Sequence, residues 1–585
     1  MIANSPFKLP KKTPFGVGEH IAEWATGLTQ LDKFYAQRPA NCDTQTFLRF
    51  TLEILGIDYR VIKGALNHIP ASGPTVVVAN HPLGCVEGVI LAEMLLQIRS
   101  DVQILANHYL KTVPELDSLF IGVDVFNTNQ AQQANLKAMR TAHRHLEQGG
   151  LLLIFPAGEV SHLVDIKQQR LQDKAWSTSV SRLIKKHHAT SVPIFINGQN
   201  SKRFYMAGKI HPLLRTLMLG RELLNKKSRA IEIAIGQPIQ YKEITPLNDE
   251  QLVNYLRFNT YLLDPATQKQ RNKQDGDLTL PPVAPRLPLD DLKSDLARLS
   301  AEEHLLQYNE FDVYCAKAAS IPCIMHEIGR IREINFRHVG EGTGLALDID
   351  KFDRHYFHLF IWDREADELV GAYRLGLVDE LMAEHGLAGL YSSTLFNYDP
   401  QFIHQMGKSI EMGRSVVAQP YQKSMASLLL LWKGIATFVT RRPQYTHLFG
   451  PVSISNEYSD DARQLLAQTM TLNYYDPEQA QLVKPTNPLP THKNHDWNIH
   501  LLSALADLQL LSKVIARIDE GKGVPVLLRQ YLGLNGKFAC FNVDPDFHDS
   551  LDGLIVVDLR QVSEKTLTRY MGSAPAQAYL AYHAK

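Results

Sequence analysis

His81 follows the β-branched run Thr75–Ala79 and precedes Pro82, so an imidazole stands at the carboxyl end of an expected strand. α/β proteins gather reacting groups at such ends. Glu87 lies six residues further on, on the same loop or the first helical turns. A carboxylate there can fix the tautomer of the imidazole and leave its other nitrogen to take a proton from an alcohol. The same spacing also admits an ordinary solvated helix glutamate. Pro82 suits the first turn of a helix, where its missing N–H costs nothing. A second element is Leu151–Phe155, which runs into Pro156, Ala157, Gly158, Glu159, Val160 and Ser161. Gly158 allows close backbone approach to a ligand, and Glu159 and Ser161 add polar groups that no core requires. Each element is common alone; their joint order is far more specific. Cys85 reads as a small packing residue rather than a nucleophile.

The C-terminal half offers a different set: Arg330, Arg332, Glu333 and Arg337, then Asp348, Asp350 and Asp353, then Arg374, then Glu411 and Arg414. Arginines interleaved with carboxylates commonly form structural ion pairs. The three aspartates lack the glycine and terminal glutamate of a calcium loop. The five cysteines (Cys42, Cys85, Cys315, Cys323, Cys540) form no CxxC pair, and no Cys/His cluster has zinc spacing. No metal site and no disulfide framework is expected, and a reduced cytoplasmic compartment fits best.

These residues need scaffolds to hold them. At 585 residues the chain is too long for one core. In the first part, apolar runs at Thr75–Ala79, Val102–Leu105, Leu151–Phe155, Val192–Ile196 and Ile231–Ile235 alternate with helical patterns such as Gln132–Gln148, which predicts an α/β sheet. In the last part, Tyr356–Trp362, Leu369–Leu375, His447–Val452 and Gly553–Asp558 read as strands and Leu428–Thr440 as a core helix. Between them, Gln268–Asp291 is polar and then proline-rich, the composition of an extended linker. The expected organisation is α/β throughout, with domains at 1–265 and 292–585 joined by a linker at 266–291.

Lys+Arg and Asp+Glu both number 61, so bulk nucleic-acid electrostatics are not expected. The exception is local: residues 201–230 carry eight basic residues, including Arg215, Arg221, Lys226 and Lys227, against the single acid Glu222. With Leu213, Leu214, Leu217, Met218, Leu223 and Leu224 at helical spacing, this stripe reads as a helix for anionic lipid, a dock for an acidic carrier protein, or an ordinary solvated face. The N-terminus shows no signal-peptide pattern, and the most lipid-like stretch, Ser424–Thr440, contains Lys433. A soluble or peripheral protein is expected.

NHPLGCVEG followed by FPAGEVS resembles the glycerolphosphate/lysophospholipid acyltransferase superfamily, and within it the bacterial hemolysin-like branch, with Glu87 where that branch has aspartate. LANHYL, VPELDSLFIGVDVF and SVPIFINGQNS resemble intervening blocks. The resemblance implies that His81 is the general base on an acceptor hydroxyl, that Glu87 orients it, and that Asn80, Phe155, Pro156, Gly158, Glu159 and Ser161 help bind substrate. RxREINFR, DIDKFD, GAYRLG, EMGRS and LFGPVSIS resemble the GNAT-like fold of acyl-homoserine-lactone synthases and, more closely, ornithine-lipid N-acyltransferases. That resemblance implies Glu411 as base or water-positioner for an amine, and Asp350, Asp353, Arg374 and Arg414 as the frame of acceptor and donor sites.

Together the halves resemble bifunctional ornithine-lipid synthases. The C-terminal domain would transfer a 3-hydroxyacyl group from acyl carrier protein to the α-amine of ornithine. The N-terminal domain would then esterify the 3-hydroxyl, on the inner face of the cytoplasmic membrane. No bound cofactor is implied beyond the phosphopantetheine thioester of the donor, and nucleic acid is not an expected partner. The same chemistry on glycine or another amine remains open, as does a lysophospholipid acyltransferase or membrane-associated binding protein with one inactive domain.

Overall fold

The computed structural model describes residues 5–8, 17–123, 129–165, 170–210, 217–226, 230–265, 280–490, 497 and 499–584. The chain divides into two compact units, Met1–Asn272 with Asn498–Ala504, and Lys273–Trp497 with Leu505–Lys585.

In unit one the strands are β1 (Tyr59–Lys63), β2 (Thr75–Ala79), β3 (Val102–Asn107), β4 (Phe120–Val123), β5 (Leu151–Ile154), β6 (His162–Asp165), β7 (Arg170–Gln172), β8 (Thr190–Asn197) and β9 (Ile231–Ile235). Among the described residues they build a seven-stranded sheet in the order β1-β9-β8-β2-β5-β3-β4, with β6 and β7 as a separate hairpin. Strand β2 is parallel to both β5 and β8. Every residue of it is buried, which is why its sequence is an unbroken apolar run rather than an alternating one. From β2 the chain moves toward β3, while from β5 it returns to β8 on the other side of β2. The carboxyl end of β2 is therefore a switch point of the kind where open α/β sheets form crevices. Register makes this local: Val78 is level with Ile154, and Ala79 with Ile194. Asn80–His81 and Phe155–Pro156 thus leave the sheet side by side.

Unit two contains β10 (His304–Tyr308), β11 (Phe311–Lys317), β12 (Phe357–Asp363), β13 (Glu368–Leu377), β14 (Phe396–Tyr398), β15 (Ser409–Val417), β16 (His447–Ile454), β17 (Val483–Pro485), β18 (Lys537–Asp544) and β19 (Ser550–Asp558). The main sheet runs β10-β11-β12-β13-β15-β16-β19-β18, and β14 pairs with β17 apart from it. Two helices cover opposite faces. Phe360 and Trp362 share a core with Ile324 and Ile328 of the helix Pro322–His338. Leu359, on the other face of β12, packs against Gly434 of the helix Met425–Thr440. That second helix is the lipid-like stretch, and its apolar residues go into the core. Among the described residues no helix is long and apolar enough to cross a membrane.

Residues 266–279 of the expected linker lie outside the described residues. The proline segment after them is extended and lies on unit two: Ala284 N–H donates to Ala346 O at 2.9 Å, and the Arg337 guanidinium donates to Pro281 O at 2.7 Å. Proline fixes φ and removes donors, so this stretch extends without joining the sheet.

Among the described residues the pairing of β15 with β16 is the only parallel one in the main sheet of unit two, and it is short. It covers Ser409–Glu411 against His447–Phe449, although the strands continue to Val417 and Ile454. At its limit the backbones touch so closely that a Cβ on Gly450 would lie 2.1 Å from Met412 O. Gly450→Ala is therefore expected to destabilise the protein by about 1–3 kcal/mol, read as a lowered urea midpoint. An unchanged midpoint would show that the strands can part there at no cost.

Candidate functional site

In unit one, Nδ1 of His81 is 2.8 Å from Oε1 of Glu87, and Glu87 is fully buried. The oxygen lies off the ring N–H direction, so the contact is a close electrostatic one rather than an aligned hydrogen bond. The same Oε1 accepts from Leu83 N at 2.9 Å and Gly84 N at 2.8 Å. Glu87 thereby caps the helix Cys85–Leu96 from its third position. This moves the helix start beyond Pro82, which lies in the preceding turn and not in the first helical turn as its sequence suggested. The His81 ring stacks on Phe155 with centroids 4.5 Å apart. With Nδ1 turned to Glu87, Nε2 is the nitrogen left for an acceptor hydroxyl.

The other expected residues divide by what they do. Asn80 is a peg, donating to Ile196 O at 3.0 Å and accepting from Ile196 N at 2.7 Å, which ties the end of β2 to β8. Pro156 is buried, and its carbonyl accepts from Ser177 N. Gly158 has φ +69°, and a Cβ there would meet open space. Glu159 is paired with Lys174. Ser161 donates from Oγ to Asp173 at 2.5 Å and from its N–H to His81 O at 2.8 Å. Burial pushes the Cys85 thiol up to about 11, with the Glu87 carboxylate adding to it, so Cys85 is no thiolate nucleophile.

Sequence reasoning missed Asp173. Its buried carboxylate accepts from His81 N at 3.3 Å, from Ser161 Oγ and from Trp176 Nε1 at 3.0 Å. Arg257 donates to its carbonyl at 2.9 Å. One acid therefore joins the histidine turn to the 155–161 turn. Its polar surroundings in the sequence gave no periodic signal.

The basic stripe is also revised. Among the described residues its helices include Lys202–Ile210 and Leu219–Leu224, while Leu213, Leu214, Arg215 and Lys227 lie outside the described residues. Arg221 is exposed, as expected of a surface contact. Lys226 is not: its side chain is 11% exposed, and Nζ donates to Gln199 O at 2.8 Å and stands 3.7 Å from the buried Glu222. Burial lowers its pKa despite the nearby Glu222 and Glu87 carboxylates. Charge counted along the sequence had placed it on the surface.

Unit two brings Asp350, Asp353, Arg374 and Arg414 together. Arg374, fully buried on β13, donates from Nη1 to both oxygens of Asp350 at 2.8 Å and to Asp353 at 3.2 Å. Arg332 donates to the same oxygen of Asp353 at 2.9 Å. Burial alone would raise the Asp353 carboxyl, but Arg332 and Arg374 hold it well below the usual range. In β15 two residues, Arg414 and Ser415, face the single Tyr373 of β13, because Gly413 pairs with Arg374 and Val416 with Ala372, so the strand carries one extra residue. This bulge takes Arg414 to φ +49° and re-aims its side chain. Its guanidinium lies over Tyr391 at 4.7 Å and Phe547 at 4.6 Å, 3.2 Å from Asp348 and 3.5 Å from Asp350. The bulge falls just beyond the last β15–β16 pair, where both strands keep backbone groups unmatched to each other.

Glu411 is buried at that last pair. Its carboxylate accepts from Ser392 N at 2.6 Å, Tyr391 N at 3.2 Å and the Tyr356 hydroxyl. It holds the turn that carries Tyr391 under Arg414. Three further acids were missed. Asp544 and Asp552 are same-face diagonal neighbours on the β18–β19 hairpin, since Asn542 pairs with Asp552 and Asp544 with Ser550. Glu341 feels both their charges and that of Arg414. Burial and like charge push Glu341 up to about 8 and Asp552 up to about 7, even though Ser453 donates to Asp552 at 2.6 Å. Only folding makes these carboxylates unusual, so no sequence motif marks them.

Residues 33–269 match the model of an acyltransferase family, and residues 331–433 match that of the acetyltransferase (GNAT) domain. The chain carries two acyltransferase domains. It is 28% identical over 295 residues to the glycine N(alpha)-acyltransferase of Phocaeicola vulgatus, covering 47% of this chain and 89% of that protein. The enzyme of the same name from Bacteroides thetaiotaomicron is 29% identical over 294 residues, 47% of this chain and 86% of that protein. The lyso-glycine lipid O-acyltransferase of Phocaeicola vulgatus is 28% identical over 204 residues, 34% of this chain and 69% of that protein. The α/β fold expected of both domains is the one observed. His81 and Glu87 lie in the acyltransferase domain, and Arg374, Glu411 and Arg414 in the GNAT domain.

For the acyltransferase domain, His81→Ala and Glu87→Gln are each expected to slow O-acyl transfer on the order of 10²-fold or more, assayed on a hydroxylated lyso-lipid. N-acyl transfer by the GNAT domain should persist in both. Near-wild-type ester formation in Glu87→Gln would leave Glu87 a helix cap and nothing more.

Proposed function

We propose that the chain builds an aminolipid by two successive acyl transfers. In the GNAT domain, the amine of an amino acid attacks a 3-hydroxyacyl thioester of acyl carrier protein. A C–N bond forms, the C–S bond breaks and the carrier thiol leaves. In the acyltransferase domain, His81 Nε2 takes the proton from the 3-hydroxyl of that product. The oxygen then attacks a second acyl thioester, and its thiol leaves with a proton. The observation that carries this reading is the union, in one chain, of likeness to a glycine N-acyltransferase and to a lyso-glycine lipid O-acyltransferase, enzymes whose names describe consecutive reactions.

Glycine is the acceptor that the relatives' names favour. Ornithine is a second reading, supported by the half-buried Glu341 and the buried Asp544 and Asp552 beside Arg414, which outnumber the cations facing them and suit an additional ammonium. In either case the attacking amine must first lose a proton. Asp552 and Glu341, whose carboxyls titrate near neutrality, suit that task better than Glu411, whose oxygens already hold a turn. We therefore assign Glu411 to positioning. Peripheral attachment to an anionic membrane is part of the proposal. Ile21, Trp24 and Leu217 are large apolar residues left exposed, and the helix Val17–Thr26 packs against Leu219–Leu224, which carries the exposed Arg221.

Cells expressing the chain should convert labelled glycine into a diacylated lipid, with labelled ornithine supplied in parallel to decide the acceptor by thin-layer chromatography. Label in neither lipid would overturn the proposal. The amine step should also slow as pH falls through about 7, because protonated Asp552 accepts nothing. Asp552→Asn should abolish most of that step, and a pH profile unchanged by the substitution would remove Asp552 from the role of base.

A further inference from the structure

We propose that His355, Glu384 and His385 form a binding site for a divalent transition-metal ion of the zinc class. His355 ends the turn that leads into β12, while Glu384 and His385 close the helix Val378–His385. The two segments are far apart in sequence, so residue spacing gave no hint of a metal set and none was expected. Folding brings Nε2 of His385 to 3.2 Å from Nδ1 of His355 and 3.5 Å from Oε2 of Glu384. All three donor atoms lie within 4.8 Å of one another. Zinc bonds to imidazole nitrogen and carboxylate oxygen are about 2.0–2.1 Å long, so tetrahedral ligands stand about 3.3–3.4 Å apart. Two of the three separations already match. The third closes with a rotamer change of Glu384, which is 68% exposed and free to make it.

The donor set itself is apt. Two imidazoles and a carboxylate are borderline ligands that suit zinc, and three of them leave a fourth position for water. The ion would lie at a helix C-terminus, whose partial negative charge favours a cation. Two cations oppose it nearby. Lys317 is held by His355 O at 2.8 Å and lies 3.9 Å from Glu380, one turn before Glu384, so its charge is partly met. Arg354 adjoins His355 in the chain. Without metal, the two rings can share one proton through the N···N contact; with it, the ion takes that proton's place.

The consequence is mechanical. Asp353, which holds Arg332 and Arg374, and Tyr356, which holds Glu411, flank His355 in the chain. A metal bound there would lock this turn to the helix Val378–His385. The test uses the untagged full-length chain stripped with chelator, titrated with Zn2+ by calorimetry and with Co2+ by visible absorption. One equivalent should bind, Co2+ should show the intense bands of a tetrahedral N/O site, and Zn2+ should raise Tm by a few degrees. His355→Ala and His385→Ala should each weaken binding roughly tenfold or more, and His385→Asn, which keeps a polar side chain, should do the same while circular dichroism reports the fold. No saturable binding, or one-equivalent binding unaltered in these variants, would overturn the proposal.

Discussion

Oε1 of Glu87 meets three groups at once: the imidazole of His81 and the N–H groups of Leu83 and Gly84. A buried carboxylate is stable only when its charge is answered, and here the answer is the start of a helix together with a histidine. The helix Cys85–Leu96 can begin only where this oxygen caps it, and the histidine turn is drawn inward by the same atom. A glutamate at the third helical position reaches back to cap naturally. The longer side chain at residue 87 therefore matches the backbone it must serve, and the placement of the histidine turn and helix nucleation become one requirement.

The GNAT domain solves a related problem on a larger scale. Arg332, Arg374 and Arg414 are buried against Asp348, Asp350 and Asp353, a neutral lattice in which each guanidinium has more than one partner or ring. Desolvating such groups is expensive, and removing one leaves its partner uncompensated. Such a lattice specifies geometry more than it adds stability. It fixes Tyr391 between two guanidiniums, 4.8 Å from Arg374 and 4.7 Å from Arg414, and that turn hangs in addition on Glu411.

The strands at Thr75–Ala79 and Ile231–Ile235 were legible to the residue, because buried parallel or edge-covered strands are written as continuous apolar runs. His81 and Glu87 were legible because their partnership is local. What the sequence hid is non-local. Asp173 acts through groups from three other segments, and Arg414 is aimed by a bulge visible only in the ladder with β13. Lys226 shows the converse: a charge run suggested a surface, yet its stem and ammonium fold inward onto Gln199. Raised carboxyls such as Asp552 depend on burial by a hairpin, a property no residue type carries by itself.

The link from His81 through Asp173 to Trp176 also equips the acyltransferase domain with an internal optical probe. Trp176 is buried to 6% exposure with its indole N–H tied to Asp173, whereas Trp24, the other tryptophan described in that unit, is 77% exposed. Their emission should separate by wavelength, the buried indole to the blue and the exposed one to the red. A ligand that displaces the histidine turn would pull on the carboxylate and hence on the indole, and with the equally buried Trp362 and Trp432 of unit two replaced by phenylalanine that movement could be followed by fluorescence without attaching a dye.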